Sequence, residues 1–430
     1  MSRLKEWAKE LIIWPQQYLR TDMLYIAKGG FWMTFGQVVG IITSAVLAIA
    51  YANLLPKESY GLYKYILSLM GIFGIFMLNG FPTAITQAVA RGSDTILKSV
   101  IKYQLRWNSL CVIITAGAGI YYWLRNNQTI AITLLILAAT APLIKSLNSF
   151  SSYLTGKRDF SFNTIIDMVS GIFVTGIIIL TIYLTDNTIT LIAVYGTVNL
   201  VAGGVGYWLT TKKYPQSTHG QIDEKTASYG KSLSLLGAFG AFAQQLDKIL
   251  VFKFAGTIEL ATYVLASAMP DRMKGFTKSI VSLAFPKLSA KNTEDIRTSF
   301  NLRIIQSFLF GALIASIYIL IAPSLFKIFF PKYLPAIFYS QIMSLWLVFF
   351  VPLHYIGYAI LSQKFTKSIY ILESFTVITR LACYIGLGLL WGVIGIVISR
   401  VLSIFLIFLA HLVCWSIESK KLWWAKGRLD

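Results

Sequence analysis

Apolar residues run through this chain in twelve long blocks separated by short polar connections. The blocks fall at 25–51, 61–82, 106–124, 129–151, 162–185, 189–211, 231–254, 257–286, 302–330, 334–361, 368–390 and 392–415. About 20 apolar residues in a helix cross a hydrocarbon core, and backbone inside lipid must satisfy its hydrogen bonds within the segment. The pattern therefore predicts an all-α integral membrane protein with twelve transmembrane helices. Composition points the same way: of 430 residues, 56% are hydrophobic and 13% charged, where a soluble domain carries about 25% charged residues.

Charge orients the segments. Of the 38 basic residues, 25 lie on one set of alternating connections and on the two termini. Examples are Arg91, Lys98, Lys102 and Arg106, or Lys212, Lys213, Lys225 and Lys231. The opposite connections hold only Lys57, Arg125 and Lys332. The positive-inside rule then places both termini in the cytoplasm, in a bacterial or archaeal cytoplasmic membrane. A net charge of +20 would suggest nucleic acid in a soluble protein, but here it faces an anionic leaflet, so membrane lipids are the expected surroundings and no nucleic-acid partner is implied. The first residues are charged, and no cleavable signal sequence is expected. Leu4, Trp7, Leu11, Trp14 and Tyr18 recur at helical spacing, which predicts an amphipathic cytoplasmic helix over 1–24. Trp415, Trp423 and Trp424 are expected in the same interfacial belt.

The blocks divide six and six around the polar stretch 212–230. This gives an N-lobe over 25–211, a linker over 212–230, a C-lobe over 231–415 and a cytoplasmic tail over 416–430. Weak echoes recur at a displacement of about 200 residues: Tyr60-Gly61-Leu62-Tyr63 against Leu260-Ala261-Thr262-Tyr263, Phe81-Pro82 against Phe285-Pro286, and Gly196 against Gly395. Six crossings return the chain to its starting side, so the two lobes are expected to be a parallel repeat about an axis along the membrane normal.

Ten basic residues remain inside apolar blocks: Lys64, Lys145, Lys248, Lys253, Arg272, Lys274, Lys278, Lys327, Arg380 and Arg400. A charge at a helix centre costs roughly 2.5–3.5 kcal/mol on insertion scales, which makes each a functional candidate. The eighth block is the richest, with Asp271, Lys274 and Lys278 on one helical face and Arg272 on another. It is read either as a cavity wall or as two shorter pieces around a wet loop at 270–278. Asp247 and Lys248 interrupt the seventh block, as pairing charges or as a cavity lining. Arg380 has Glu373 two turns earlier, and Arg400 lies in the twelfth block; each is open between structural pairing and substrate contact. Lys145, Lys253 and Lys327 lie near block ends, where long side chains snorkel. Asp167 has no basic neighbour in sequence and is read as a protonated packing residue or as part of ion coupling. Cys111, Cys383, Cys414, His219, His354 and His411 form no ligand cluster, so neither a disulfide framework nor a metal site is indicated.

Several short motifs resemble the multidrug/oligosaccharidyl-lipid/polysaccharide exporter superfamily, and within it the polysaccharide transporter branch with its O-antigen flippases. They are Leu55-Pro56-Lys57-Glu58-Ser59-Tyr60-Gly61-Leu62-Tyr63, Gly156-Lys157-Arg158-Asp159-Phe160, Ala322-Pro323-Ser324-Leu325-Phe326, Phe330-Pro331-Lys332-Tyr333 and Trp391-Gly392-Val393-Ile394-Gly395. The resemblance implies a V-shaped pair of six-helix lobes that moves lipid-linked saccharides by alternating access. It also adds Lys28 and Lys64 to the candidates, since related flippases place basic residues on their first two helices.

A mainly cationic lumen selects an anion, and a pyrophosphate-linked saccharide carries its charge where sugar meets lipid. The expected function is therefore a flippase for undecaprenyl-pyrophosphate-linked oligosaccharide. Lys28, Lys64, Lys248, Arg272, Lys274, Lys278, Arg380 and Arg400 are its substrate-binding candidates, and Asp167, Asp247 and Glu373 its coupling candidates for H+ or Na+. No phosphate-binding G-x-x-x-x-G-K-[ST] loop is present, and no cofactor is expected. Rival readings are a cation-coupled multidrug exporter, a peptidoglycan lipid-precursor flippase, and a membrane glycosyltransferase, which would need acids in an outer loop. The charge asymmetry predicts that reporter fusions after Tyr214 and Asn292 read cytoplasmic and those after Asn126 and Asn187 external. An external reading at Asn292 would break the eighth-block assignment.

Overall fold

Each apolar block forms helix in a computed structural model, which describes residues 23–216, 222–282, 288–289, 293–363 and 365–426. The expected amphipathic helix over 1–24 falls almost wholly outside the described residues, as do Phe285-Pro286, His219 and the end of the tail. The helices are α1 (Met23–Leu54), α2 (Lys57–Phe73), α3 (Phe81–Ala90), α4 (Leu97–Leu124), α5 (Gln128–Leu147), α6 (Ser149–Gly156), α7 (Phe160–Leu184), α8 (Thr188–Lys213), α9 (Glu224–Ser282), α10 (Thr293–Phe329), α11 (Ala336–Ser344), α12 (Trp346–Ser362) and α13 (Thr366–Lys426). Among the described residues there is no strand. Nine helices there are long and apolar enough to cross a membrane, so this is a multi-pass membrane protein. The apolar stretch of α4 falls short of the others because Asn108, Tyr121, Tyr122 and Trp123 dilute it. Asn108 is buried and points to α5, where its amide donates to Ser146 Oγ at 3.1 Å.

Two of the long helices are hairpins. Sixteen residues of straight helix span about 24 Å, yet the Tyr263 hydroxyl donates to Asp247 Oδ2 at 2.8 Å. The chain folds back between them at Gly256, whose φ of 77° and ψ of −164° break the helix. The same spacing recurs in α13, where Ser399 Oγ donates to the Cys383 carbonyl at 2.7 Å across a reversal at Gly392. The Trp391-Gly392 motif is therefore a tight helical turn. Gly395 completes it, because a Cβ there would sit 1.9 Å from the Leu387 carbonyl oxygen.

Packing divides the chain into two compact units. The first draws on the chain before Leu55 and on Ile72–Ala238, the second on Leu55–Gly71 and the chain from Phe239 on. Thus most of α2, placed with the first six segments by chain order, packs with the second-half helices. Its glycines explain this: a Cβ on Gly61 would lie 1.9 Å from the Thr257 carbonyl oxygen, and one on Gly71 would press on Gln245. Between them Tyr65 stacks on Phe252 with centroids 3.6 Å apart. Tyr60 meets Tyr333 edge to face and Lys57 lies over the Tyr333 ring, so two of the short motifs contact each other here.

In the first unit, Phe81, Ile85, Leu97, Val100, Phe150 and Tyr153 form a buried core. The Gly156–Phe160 motif closes this unit. Lys157 pairs with Asp94, and Asp159 caps α7 by accepting from the Phe162 amide. Asp159 also takes hydrogen bonds from Lys213 Nζ at 2.6 Å and the Tyr214 hydroxyl at 2.8 Å. Burial alone would raise the Asp159 carboxyl, but those two donors outweigh it and hold it below its ordinary value.

The structure departs from the sequence expectation in several places. The second block ends at Phe76, and Phe81 opens a separate helix with Pro82 in its first turn, where proline is tolerated. The tenth block divides at Leu345 into α11 and α12. Trp415, expected at the interface, is 2% exposed and stacks on Phe300 at 5.1 Å, so it is a packing residue. Conversely, Ile113, Leu124, Leu320 and Leu389 are more than half exposed, the outward apolar surface that lipid covers.

The hairpin at Gly256 generates a stability prediction. Its dihedral pair is nearly exclusive to glycine, and other residues there cost of order 1–3 kcal/mol. Gly256→Ala should lower the unfolding free energy in detergent by about that amount. Gly237→Ala, in open space within the same helix, should leave it unchanged. Equal melting curves for the two variants would refute the hairpin geometry.

Candidate functional site

The Asp247–Tyr263 contact brings the two legs of α9 together, and α13 delivers a guanidinium to the same place. Arg400 bonds Asp271 through Nη2 and approaches Asp247 Oδ2 through Nη1 at 3.9 Å. Asp247 is 4% exposed, and a buried carboxylate must be paired. Tyr263 and Arg400 supply that pairing. The cluster lines a cavity of about 70 Å³ together with Lys274, Arg380, Tyr384, Trp346, Phe350 and Ser403. Lys274 Nζ lies over the Phe350 ring at 5.7 Å. The Trp346 indole N–H is buried and has no hydrogen-bond acceptor among the described residues.

The charges lining this cavity are three cations, Lys274, Arg380 and Arg400, and two anions, Asp247 and Asp271. Both acids are on Arg400. Among the described residues the lining therefore carries one more positive charge than negative. Its volume takes a few waters or one compact oxyanion and is too small for a sugar ring.

A second cationic group lies in the same unit. Lys64 of α2 is close enough to Lys248 and Arg272 to feel both charges. Lys64 sits against the rings of Tyr60 and Tyr63, and Lys248 Nζ donates to Gln245 Oε1 at 3.0 Å. The first unit carries a different cavity, of about 500 Å³, between α1, α7, α8 and the α5–α6 junction, with Asp167 on its wall.

A family model described as polysaccharide biosynthesis protein matches residues 26–292. The chain belongs to that family. Its fold matches a MATE multidrug transporter of the MOP superfamily in its inward-facing form, with a TM-score of 0.63 at 15% identity over 89% of this chain and 96% of that one. The lipid II flippase MurJ in an inward closed conformation matches with a TM-score of 0.67 at 15% identity, covering 91% and 87%. A Vibrio cholerae MATE transporter matches with a TM-score of 0.56 at 17% identity, covering 92% and 97%. These likenesses establish a shared all-α membrane fold. A search of curated proteins finds no match.

In this polysaccharide biosynthesis family member, the sequence candidates sort into four sets. Asp247, Lys274, Arg380 and Arg400 meet at the small cavity; Lys64, Lys248 and Arg272 form the second group; Asp167 lines the other unit's cavity; Glu373 is exposed and lines neither cavity. The side chains of Lys28 and Lys278 lie outside the described residues. The face shared by Asp271 and Lys274 holds, since both line one cavity, while Arg272 on the other face does not. Sequence reasoning missed Tyr263, Tyr384 and Trp346. The available signal was the glycine reversal: residues roughly equidistant from Gly256 or Gly392 face each other across a hairpin.

Removing Arg400 would take away the cation that Asp247 and Asp271 share. Breaking a buried pair from one side costs about 3–5 kcal/mol, and the exposure of Asp271 makes that an upper bound. Arg400→Met should therefore destabilise the protein by up to that amount in detergent unfolding, and adding Asp247→Asn and Asp271→Asn should recover most of it. A triple variant no more stable than Arg400→Met would refute the pairing.

Proposed function

We propose that this protein is a flippase for a lipid-linked saccharide whose carrier is joined through pyrophosphate, of the undecaprenyl-pyrophosphate type. It would bind the anionic junction in its second unit and release it at the outer leaflet by alternating access. The observation that carries the reading is the donor set of the small cavity: Lys274, Arg380 and the partnerless Trp346 N–H face a space sized for a compact oxyanion. Oxyanions take charge-assisted hydrogen bonds from such groups, with Arg presenting a planar fork and Lys a point charge. Lys64, Lys248 and Arg272 add positive potential in the same unit. Family membership supports a role in polysaccharide biosynthesis, and the MurJ-like fold supports carriage of a lipid-linked molecule.

Energetics fit the direction of transport. Moving one negative charge outward across an inside-negative membrane is favoured by roughly 2.3 kcal/mol per 100 mV, so this reading needs no nucleotide hydrolysis. A cation-coupled drug exporter would need an open acid at its site; Asp247 and Asp271 are both committed to Arg400, which leaves Asp167 of the first unit's cavity as the acid on which that second reading would rest. The setting fits a cytoplasmic membrane with both chain ends inside, as the positive-inside rule predicts.

The test is saccharide export in cells carrying each variant at matched membrane levels. Lys274→Ala/Arg380→Ala should insert normally, since removing an intramembrane charge lowers insertion cost, but should fail to export. Arg272→Lys should retain part of the activity and Arg272→Glu none, because charge matters more than shape. Full export by Arg272→Glu would overturn the anion-binding reading and favour the drug exporter.

A further inference from the structure

The cavity of the first unit has the opposite chemistry. Among the described residues, Asp167 is the sole charged group on its wall, and no lysine or arginine lines it. The remaining polar lining is hydroxyl and amide, contributed by Thr43 and Ser44 of α1, Asn148, and Asn199 of α8 among others.

Local helix bonding fixes what these groups present. Thr43 Oγ1 donates to the Val39 carbonyl and Ser44 Oγ to the Ile41 carbonyl, each at 2.9 Å. Asn199 Nδ2 donates to the Tyr195 carbonyl at 2.8 Å. A hydroxyl whose proton is already given to its own helix offers a ligand its oxygen lone pairs, and the Asn199 amide keeps a second N–H beside its oxygen. With the Asp167 carboxylate and the other hydroxyls, the wall presents acceptors together with neutral donors.

Size and polarity together select the occupant. A bare ion needs little more than the volume of a water, whereas about 500 Å³ lies in the range of cavities that hold organic ligands, roughly 300–1,000 Å³. Phosphate is an acceptor itself and meets no donor cation here. A polyol, whose hydroxyls donate outward in several directions, matches the wall. We propose that this cavity binds a neutral sugar ring, with Asp167 and the α1 and α8 oxygens accepting from its hydroxyls. The assignment deepens the flippase reading and rests on it for the source of the sugar, the saccharide of the lipid-linked substrate.

Gly171 supplies a test that spares the fold. It lines the cavity, and a Cβ built there meets nothing within 4 Å, so a longer side chain fills ligand space without striking backbone. The full-length protein in nanodiscs should bind a methyl glycoside from a panel of common hexosides, read by saturation-transfer NMR and titration. Gly171→Met and Asp167→Leu should weaken that binding by about tenfold or more. Asp167→Asn, which keeps one acceptor oxygen, should stay within about threefold. Lys274→Ala/Arg380→Ala should bind the glycoside as the unaltered protein does, even where it has lost export. The proposal falls if no glycoside binds, if Gly171→Met leaves binding intact, or if tetraethylammonium or Na+ occupies the cavity in an Asp167-dependent way while glycosides do not. Any of those results leaves the export phenotype of the second-unit cations standing, so the two readings fail separately.

Discussion

The Arg400 guanidinium held between Asp271 and Asp247 is the contact on which the second unit's site depends. Two carboxylates and a guanidinium inside a membrane segment are tolerable only in one another's company. Their meeting requires both glycine reversals, because Asp247 and Asp271 sit on opposite legs of α9 while Arg400 sits on the second leg of α13. Tyr263 adds a neutral donor to the more buried acid. Lys274 and Arg380 line the same cavity as this neutralised Arg400, so the lining carries one more positive charge than negative. A site with every cation uncompensated would hold an oxyanion too tightly to turn over, and one fully neutralised would not attract it. One surplus charge lies between those limits.

The two cavities differ in charge. Cations and their compensating acids line the one in the second unit, while neutral hydroxyls and amides with one carboxylate line the one in the first. This separation follows from what each environment makes affordable. An α-helix can orient a Ser or Thr oxygen at almost no cost, by bonding its proton to the carbonyl three or four residues earlier. Positive charge has no such neutral device, and buried cations require partners. The charged cavity is accordingly crowded with compensating acids, and the neutral one is larger.

Much of the fold could be read in advance, because the hydrocarbon core imposes length and polarity on each segment independently. The twelve apolar blocks and the face shared by Asp271 and Lys274 are local, periodic properties of the chain. What stayed hidden depends on partners distant in sequence. Trp415 carries the composition signal of an interfacial residue, and the Phe300 and Phe365 rings beside it make it core. Arg400 reads from sequence equally as structural pairing or substrate contact, because its partner Asp271 lies 129 residues away. Likewise, nothing in the order of segments says that α2 packs with the second-half helices. That follows from a close approach at Gly61 to a backbone carbonyl nearly two hundred residues later.

The motifs that carried the family resemblance are mostly sites where chain geometry, and not chemistry, is constrained. Gly61 permits a backbone contact, Gly392 and Gly395 a helical reversal, and Asp159 a cap tied to Lys213 and Tyr214. Such residues serve the scaffold, whatever passes through it. The charged and polar residues that would recognise a substrate lie outside these motifs, at positions such as Lys274, Arg380 and Asp167. Motifs therefore identify the scaffold, whereas specificity has to be read from the walls of each cavity. That is why a chain at 15% identity to MurJ can share its fold while what it recognises is decided by residues the fold leaves free.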